Sequence, residues 1–300
     1  MRALSPSVFG ALALAGLAII VGLYVFFTST KVEPGPTPTS PAPTTTAPTV
    51  KEDSIVVGRS VKGRAIEAYT FGEGKTHLLF VGGMHGGYEW NSVVLAYQFI
   101  DYLKQDPAHV PDGVTISVIP SANPDGVYEV IGKEGRFAED DVPDVSKKPT
   151  GYGRLNAHKV DLNRNFACHW QPKSMWRGTA VSAGTSTFSE PEAATIRDFV
   201  LRYKPASVVF WHSQSGSVYA SECGKGILPD TLSIMNVYAK AAGYTAVKSF
   251  DAYAITGDSE GWLASIGIPA VTVELKTHLT VEWKENLAGI KALLEFYSKK

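Results

Sequence analysis

The chain has 300 residues, 44% hydrophobic and 19% charged, with 28 Lys and Arg set against 29 Asp and Glu. That length and apolar content support one large core or two modest ones. A net charge of −1, with no basic stripe and no aromatic-rich basic motif, argues against a nucleic-acid partner.

Residues 9–27, FGALALAGLAIIVGLYVFF, are 19 consecutive residues without a charge. A helix of that length spans a bilayer. Arg2 and the α-amine precede the run, and Lys31 and Glu33 cancel beyond it. The positive-inside rule therefore predicts a cytoplasmic N-terminus over residues 1–8 and an extracytoplasmic remainder. A cleaved signal peptide, leaving a secreted chain, is the alternative; the run is long for a signal sequence and no A-x-A site follows. Residues 28–50 hold six prolines and eight threonines and almost nothing to bury. They read as a disordered, extended stalk. The folded domain is then expected over residues 51–300, a length that suits one α/β domain.

Within it, THLLFVGG (76–83) reads as a buried strand, and apolar residues recur at helical spacing from Trp90 to Leu103. VTISVIP (114–120) is a second strand. Ser189-Glu190-Pro191-Glu192 predicts a helix start with a capping box and an early proline. SVVFWH (207–212) is a third strand, residues 231–243 a helix, IPAVTVEL (268–275) a fourth strand, and the last seventeen or so residues an amphipathic helix. Strands alternating with helices predict an α/β fold with a largely parallel or mixed sheet.

In such folds, sites lie beyond the carboxyl ends of the strands. His85 follows the first strand, His212 closes the third, and Glu274 sits near the end of the fourth. One polar residue there marks only where a strand meets water; three of complementary chemistry point to a site. His85, Glu89 and His212 are two imidazoles and a carboxylate. That donor set, with one position left open for water, is used by catalytic zinc hydrolases. Glu274 is the candidate to take the water proton and pass it to the leaving amine. The H-E-x-x-H helix motif is absent.

The sequence is similar to the zinc metallocarboxypeptidases of the carboxypeptidase A type, and most to the small bacterial branch that includes murein peptide amidases. The resemblance spans residues 54–300. It rests on VGRSVKGRAIEAYTFG (57–72), GGMHGGYE (82–89), NPDG (123–126), GRLNAHKVDLNRNF (153–166), FSEPE (188–192), WHSQSG (211–216), YAITGDSEGW (253–262) and VTVEL (271–275), in the family's order. It implies a three-layer α/β/α fold around a mixed, mostly parallel sheet, and one zinc ion held by His85, Glu89 and His212. Glu274 takes the place of the general base and acid, and Arg154 that of the arginine that stabilises the oxyanion. Asn163 and Arg164 match the pair that clamps a substrate's terminal carboxylate, and Tyr253 the mobile tyrosine that closes over it. Seven residues beyond Tyr253, at the family's specificity position, stands Glu260, with Asp258 nearby. Two carboxylates there would pair with a cationic terminal side chain: lysine, arginine or a diamino acid such as diaminopimelate.

One departure stands out. The family places two residues between its first histidine and glutamate, whereas this chain has three, Gly86, Gly87 and Tyr88. Two glycines have the backbone freedom to absorb the extra residue. Cys168 and Cys223 lie in segments expected to converge on the cleft and are candidates for a disulfide. The remaining histidines, His77, His109, His158, His169 and His278, are expected on the surface or in loops, with His169 nearest the active-site loop. The resulting expectation is a membrane-tethered, extracytoplasmic zinc carboxypeptidase with a monomeric catalytic domain, acting on peptides with a free C-terminal carboxylate. A zinc deacylase of N-acyl amino acids and a non-catalytic wall-binding module are the rivals.

Overall fold

The computed structural model describes residues 54–300. The predicted span and stalk lie outside the described residues, and no helix among the described residues is long and apolar enough to cross a membrane. The described residues form one compact unit.

Among the described residues, ten strands and six α-helices follow in chain order. They are β1 (Ser54–Arg59), β2 (Ala65–Phe71), β3 (Thr76–Val81), α1 (Trp90–Gln105), β4 (Val114–Ile119), α2 (Pro124–Ile131), β5 (Lys173–Trp176), β6 (Thr179–Ser182), α3 (Pro191–Tyr203), β7 (Ser207–Ser213), β8 (Ser217–Ala220), α4 (Pro229–Ala242), β9 (Thr245–Val247), α5 (Ser259–Ser265), β10 (Ala270–Leu275) and α6 (Trp283–Ser298). Eight strands make one mixed sheet in the order β1-β2-β4-β3-β7-β10-β8-β9, and β5 and β6 form a separate hairpin. The four strands read from the sequence are the four parallel central ones, β4-β3-β7-β10.

Their apolar runs are continuous because both faces are covered. Alternate residues part company: Leu78, Phe80, Val209, Trp211, Val271 and Val273 enter one core with α1, α4 and α6. Leu79, Val81, Val208, Phe210 and Ala270 enter the other with α3 and α5. Helix α6 presents Ile290, Leu293, Leu294 and Tyr297, and α3 presents Ala193, Ile196, Phe199 and Val200, each a single stripe at helical spacing. The result is the α/β/α sandwich.

The predicted capping box at the start of α3 does not form. Glu190 is the N-cap residue and makes no side-chain capping bond. Glu192 is drawn off to accept the Val61 N–H at 3.0 Å and the Asn156 amide at 3.2 Å. Proline does stand in the first turn.

The sheet's carboxyl edge gathers the site. β3 ends four residues before His85, His212 is the next-to-last residue of β7, and Glu274 pairs with His212 across the β7–β10 ladder. That placement depends on the two-sided core beneath it. Replacing Leu79, fully buried between β3 and its neighbours, with alanine is expected to cost about 2–5 kcal/mol of stability, measured as a shift in the urea midpoint.

Candidate active site

After β3 the chain turns through Gly82 and Gly83 and winds Gly86–Glu89 into a short 3₁₀ helix that leads into α1. This turn absorbs the extra residue. Gly86 has φ +51°, and a Cβ there would lie 2.5 Å from the Gly153 carbonyl oxygen. A Cβ on Gly87 would lie 2.5 Å from Val130 Cβ. With no side chain at either position the turn packs flat against α2, and His85 and Glu89 emerge on the same side. Glu89 Oε1 is 2.8 Å from His85 Nδ1, Glu89 Oε2 is 2.9 Å from His212 Nδ1, and the two Nδ1 atoms are 3.1 Å apart. Tyr88 lines the same cavity as these donors, its ring 5.5 Å from Trp176 and 4.4 Å from His278.

All three donors are buried, and their ligating atoms lie within 4.8 Å of one another. Burial alone would raise the Glu89 carboxyl; the two flanking imidazoles instead hold it well below the usual carboxylate range. An ionised carboxylate between two imidazole nitrogens is an electron-rich set that fits a divalent zinc ion. The structure also clusters Cys168, His169 and Cys223, but the two sulfurs are joined in a disulfide, with Cα atoms 5.9 Å apart.

Around the donor set the chemistry is graded. Arg154 is fixed by Asp161, whose Oδ2 accepts from its Nε at 2.9 Å, and Arg154 Nη1 lies 3.8 Å from Glu89. Its guanidinium rests 4.5 Å over the ring of Trp176. The Asn123 amide holds this loop by donating to the Arg154 carbonyl at 3.1 Å, while its own Oδ1 caps α2. Arg164 is buried and held by the carbonyls of Asn163 and Met175. Asn163 Oδ1 accepts the backbone N–H of Ser259 at 2.8 Å and lies 2.9 Å from its hydroxyl, which leaves its NH₂ as the donating end. Glu274 has an unpartnered Oε2, and its pKa is pushed up to about 8 by burial and then by the charge of Glu89. Asp258 caps α5 by accepting from Gly261 N; burial and neighbouring Glu260 push it up to about 6.

One cavity of about 530 Å³ is lined by His85, Glu89, His212, Arg154, Asn163, Arg164, Tyr253, Asp258, Glu260 and Glu274. Every site residue singled out in the sequence therefore borders it, and so does Cys168. Tyr253 sits on the irregular segment before α5, half-buried, its ring 4.9 Å from Phe250. Glu260 is turned beneath the cavity: it accepts from Thr272 and Ser259, and Oε1 lies 3.4 Å from His212 Nε2.

Sequence reasoning passed over four neighbours. Asp161 is fully buried and lies 3.5 Å from His85 Nε2. Trp176 and Arg177, at the tip of the β5–β6 hairpin, line the cavity. His278, expected as an ordinary loop residue, also lines it and lies 2.6 Å from the Ser213 hydroxyl. Only Asp161 left a signal, a carboxylate two positions before the Asn163-Arg164 pair.

A buried two-imidazole, one-carboxylate donor set beside a raised carboxyl and two fixed guanidinium groups, at the carboxyl edge of an α/β/α sheet, defines a metal-dependent hydrolase site. The chain belongs to the zinc carboxypeptidase family, whose model matches residues 50–280. It is 24% identical over 245 residues to the gamma-D-glutamyl-L-diamino acid endopeptidase 1 of Lysinibacillus sphaericus, covering 73% of this chain and 59% of that protein. It is 27% identical over 243 residues to carboxypeptidase B of Astacus astacus, covering 73% of this chain and 78% of that protein. The chain thus spans less than two thirds of the length of the first bacterial relatives it matches. In structure it superposes on the murein-tripeptide amidase MpaA of Escherichia coli O157 with a TM-score of 0.55 and 19% identity, covering 80% of this chain and 90% of the other.

The turn at Gly86 makes a prediction. Gly86→Ala is expected to lose about 1–3 kcal/mol of stability and to weaken zinc binding, because relieving the contact with Gly153 moves His85 away from Glu89. Gly113 has φ +78°, with no atom within 4 Å of the place a Cβ would take, so Gly113→Ala is expected to lower stability and leave zinc affinity unchanged. Urea midpoints and competition with a zinc chelator of known affinity separate the two.

Proposed function

We propose that residues 51–300 form a zinc carboxypeptidase that removes the last residue from peptides with a free C-terminal carboxylate, with preference for a cationic or diamino-acid terminal side chain. The observation that supports this most is the shared cavity: a carboxylate clamp, an oxyanion partner, a metal donor set and a buried acid–base carboxyl all face one space.

In this reading His85, Glu89 and His212 hold the zinc ion, which supplies Lewis-acid polarisation of the scissile carbonyl and acidifies a water. The substrate's terminal carboxylate is oriented by Arg164, whose fork is held by the Met175 and Asn163 carbonyls, and by the Asn163 NH₂. Tyr253 closes the cavity over it. Arg154, locked by Asp161, places fixed positive charge where the carbonyl oxygen becomes negative. Glu274 takes a proton from the attacking water and returns it to the leaving amine. Its raised pKa comes from burial and from the charge of Glu89, and a cation held at Glu89 would relieve that repulsion.

The cationic preference is supported by the negative charge of Asp258 at the cavity wall. The names of two relatives, one acting on diamino-acid bonds and one a murein-tripeptide amidase, support cell-wall peptides as substrates. The charge-free run at residues 9–27 and the stalk at 28–50 support tethering to a membrane with the catalytic domain outside the cytoplasm.

The test is mass spectrometry of peptides that differ only in the last residue, Lys, Arg, Phe or diaminopimelate, each with a C-terminally amidated twin. Loss of one residue from the free acids alone is expected, and Glu274→Gln is expected to slow it by about 10²–10⁴-fold. Equal cleavage of the amidated twins would remove the clamp argument. Turnover confined to N-acyl amino acids would favour a deacylase, and zinc binding without turnover a binding module. A pH series tests the pocket. Asp258 is ionised above about 6 and neutral below it, so its attraction for a substrate ammonium is present above that pH and lost beneath it. The ratio of kcat/KM for Lys-terminal over Phe-terminal peptide is therefore expected to fall as the pH drops from about 7.5 to about 5.

A further inference from the structure

Two histidines of the donor set face each other through Nδ1, and each turns Nε2 outward into buried surroundings. His85 Nε2 meets Asp161 Oδ1 at 3.5 Å, and His212 Nε2 meets Glu260 Oε1 at 3.4 Å. Both carboxylates are buried, and both are held by other groups. Asp161 accepts from Arg154 and the Asn163 N–H. Glu260 accepts from the Thr272 hydroxyl at 3.0 Å through Oε1 and from the Ser259 hydroxyl at 3.0 Å through Oε2. An imidazole that offers Nδ1 to a cation keeps its proton on Nε2, and an acceptor opposite that proton fixes tautomer and ring angle. Both Nε2 atoms are buried without a hydrogen bond among the described residues, and a carboxylate oxygen stands 3.5 Å from that of His85 and 3.4 Å from that of His212.

We propose that Glu260 is a positioning residue for the metal site: its carboxylate accepts the Nε2 proton of His212 and so sets that ring's tautomer and orientation, as Asp161 does for His85. This rests on the zinc reading given above. It differs from the role that the family resemblance implies at this position, selection of the terminal side chain. A carboxylate that reaches out to a substrate ammonium needs its oxygens toward the cavity. Here one is engaged by Ser259, and the other lies between Thr272 and His212. Thr272 stands on β10 two residues before Glu274, and His212 is the β7 partner of Glu274. Glu260, on α5, therefore braces the donor set against the strand pair that carries the acid–base carboxyl, while Asp258, capping α5, is left to meet the substrate's charge.

The test reads zinc affinity and substrate selectivity on the same variants of the whole chain. Zinc affinity is measured by competition with a chromogenic chelator, and folding by the urea midpoint. Glu260→Ala is expected to weaken zinc binding by about 10–100-fold. Glu260→Gln, which keeps an oxygen acceptor at the same reach, is expected to stay within a few-fold of the parent. Asp258→Asn is expected to bind zinc like the parent but to lose the preference for Lys-terminal over Phe-terminal peptide. Should Glu260→Ala fail to fold, Thr272→Val provides the reading: it leaves the carboxylate but frees it from its hydroxyl, and zinc affinity is expected to fall by a few-fold. Unchanged zinc affinity in Glu260→Ala, or in Thr272→Val where that variant stands in, would overturn the proposal; so would loss of the Lys preference in Glu260→Ala with zinc binding intact. A parent protein that binds no zinc would instead sink the zinc reading itself, so the two failures are distinguishable.

Discussion

Charge buried at the end of an apolar sheet is the constraint on which the rest of this molecule depends. Glu89, Asp161, Glu260, Arg154 and Arg164 are all removed from water, and an uncompensated ion in such a place costs several kcal/mol. Each is therefore built into a chain of contacts. Asp161 is the hinge of that chain, because one carboxylate faces His85 on one side and Arg154 on the other. The geometry of the donor set and the placement of the Arg154 guanidinium are thus not independent. Coupling of this kind is stiff: displacing one member leaves another charge unpaired.

The sheet serves this network by being dry on both faces. β7 and β10 are parallel neighbours packed between two cores, so His212 and Glu274 leave the ladder side by side. Further anchors keep their loops in place. The Asn91 amide donates to the carbonyls of Thr277 and Thr280 and its oxygen accepts from Ser213, tying α1 to the ends of β7 and β10. Tyr238 accepts from the indole of Trp211 and donates to Asn286, tying β7 to α4 and α6. The first anchor reaches the cavity wall at Ser213, the second lies behind it, and both fix where the site sits.

The central strands were legible in the sequence because two-sided burial leaves unbroken apolar runs: THLLFV, VTISVI, SVVFWH and AVTVEL can hardly be anything but interior. The edges were opaque for the converse reason. β5 and β6 are four-residue strands, mostly exposed, with no apolar face to report them, although their tip carries Trp176 over the guanidinium of Arg154. The capping box at Ser189 misled because local pattern lost to a distant partner, the Val61 N–H that claims Glu192. In the site, the strand-end His and Glu, the DLNRNF motif and Glu260 were legible in the sequence. What each faces was not. Asp161 and Glu260 each stand opposite an imidazole Nε2, and His278 meets the ring of Tyr88 and the hydroxyl of Ser213. Such facts exist only after the chain has folded.

The Gly86-Gly87-Tyr88 turn carries a wider consequence. A metal ion imposes a distance between donor atoms, not a count of residues between them. Here the added residue is absorbed by a turn in which two successive positions have no side chain, and the third packs its ring against Trp176 at the cavity wall. Length along the backbone has been exchanged for volume beside it. A pattern search that counts spacers would pass this chain by, whereas one that asks which imidazole and carboxylate tips converge would not. The insertion is accommodated only because its side chains are absent, since a Cβ at either glycine would lie 2.5 Å from a neighbouring atom.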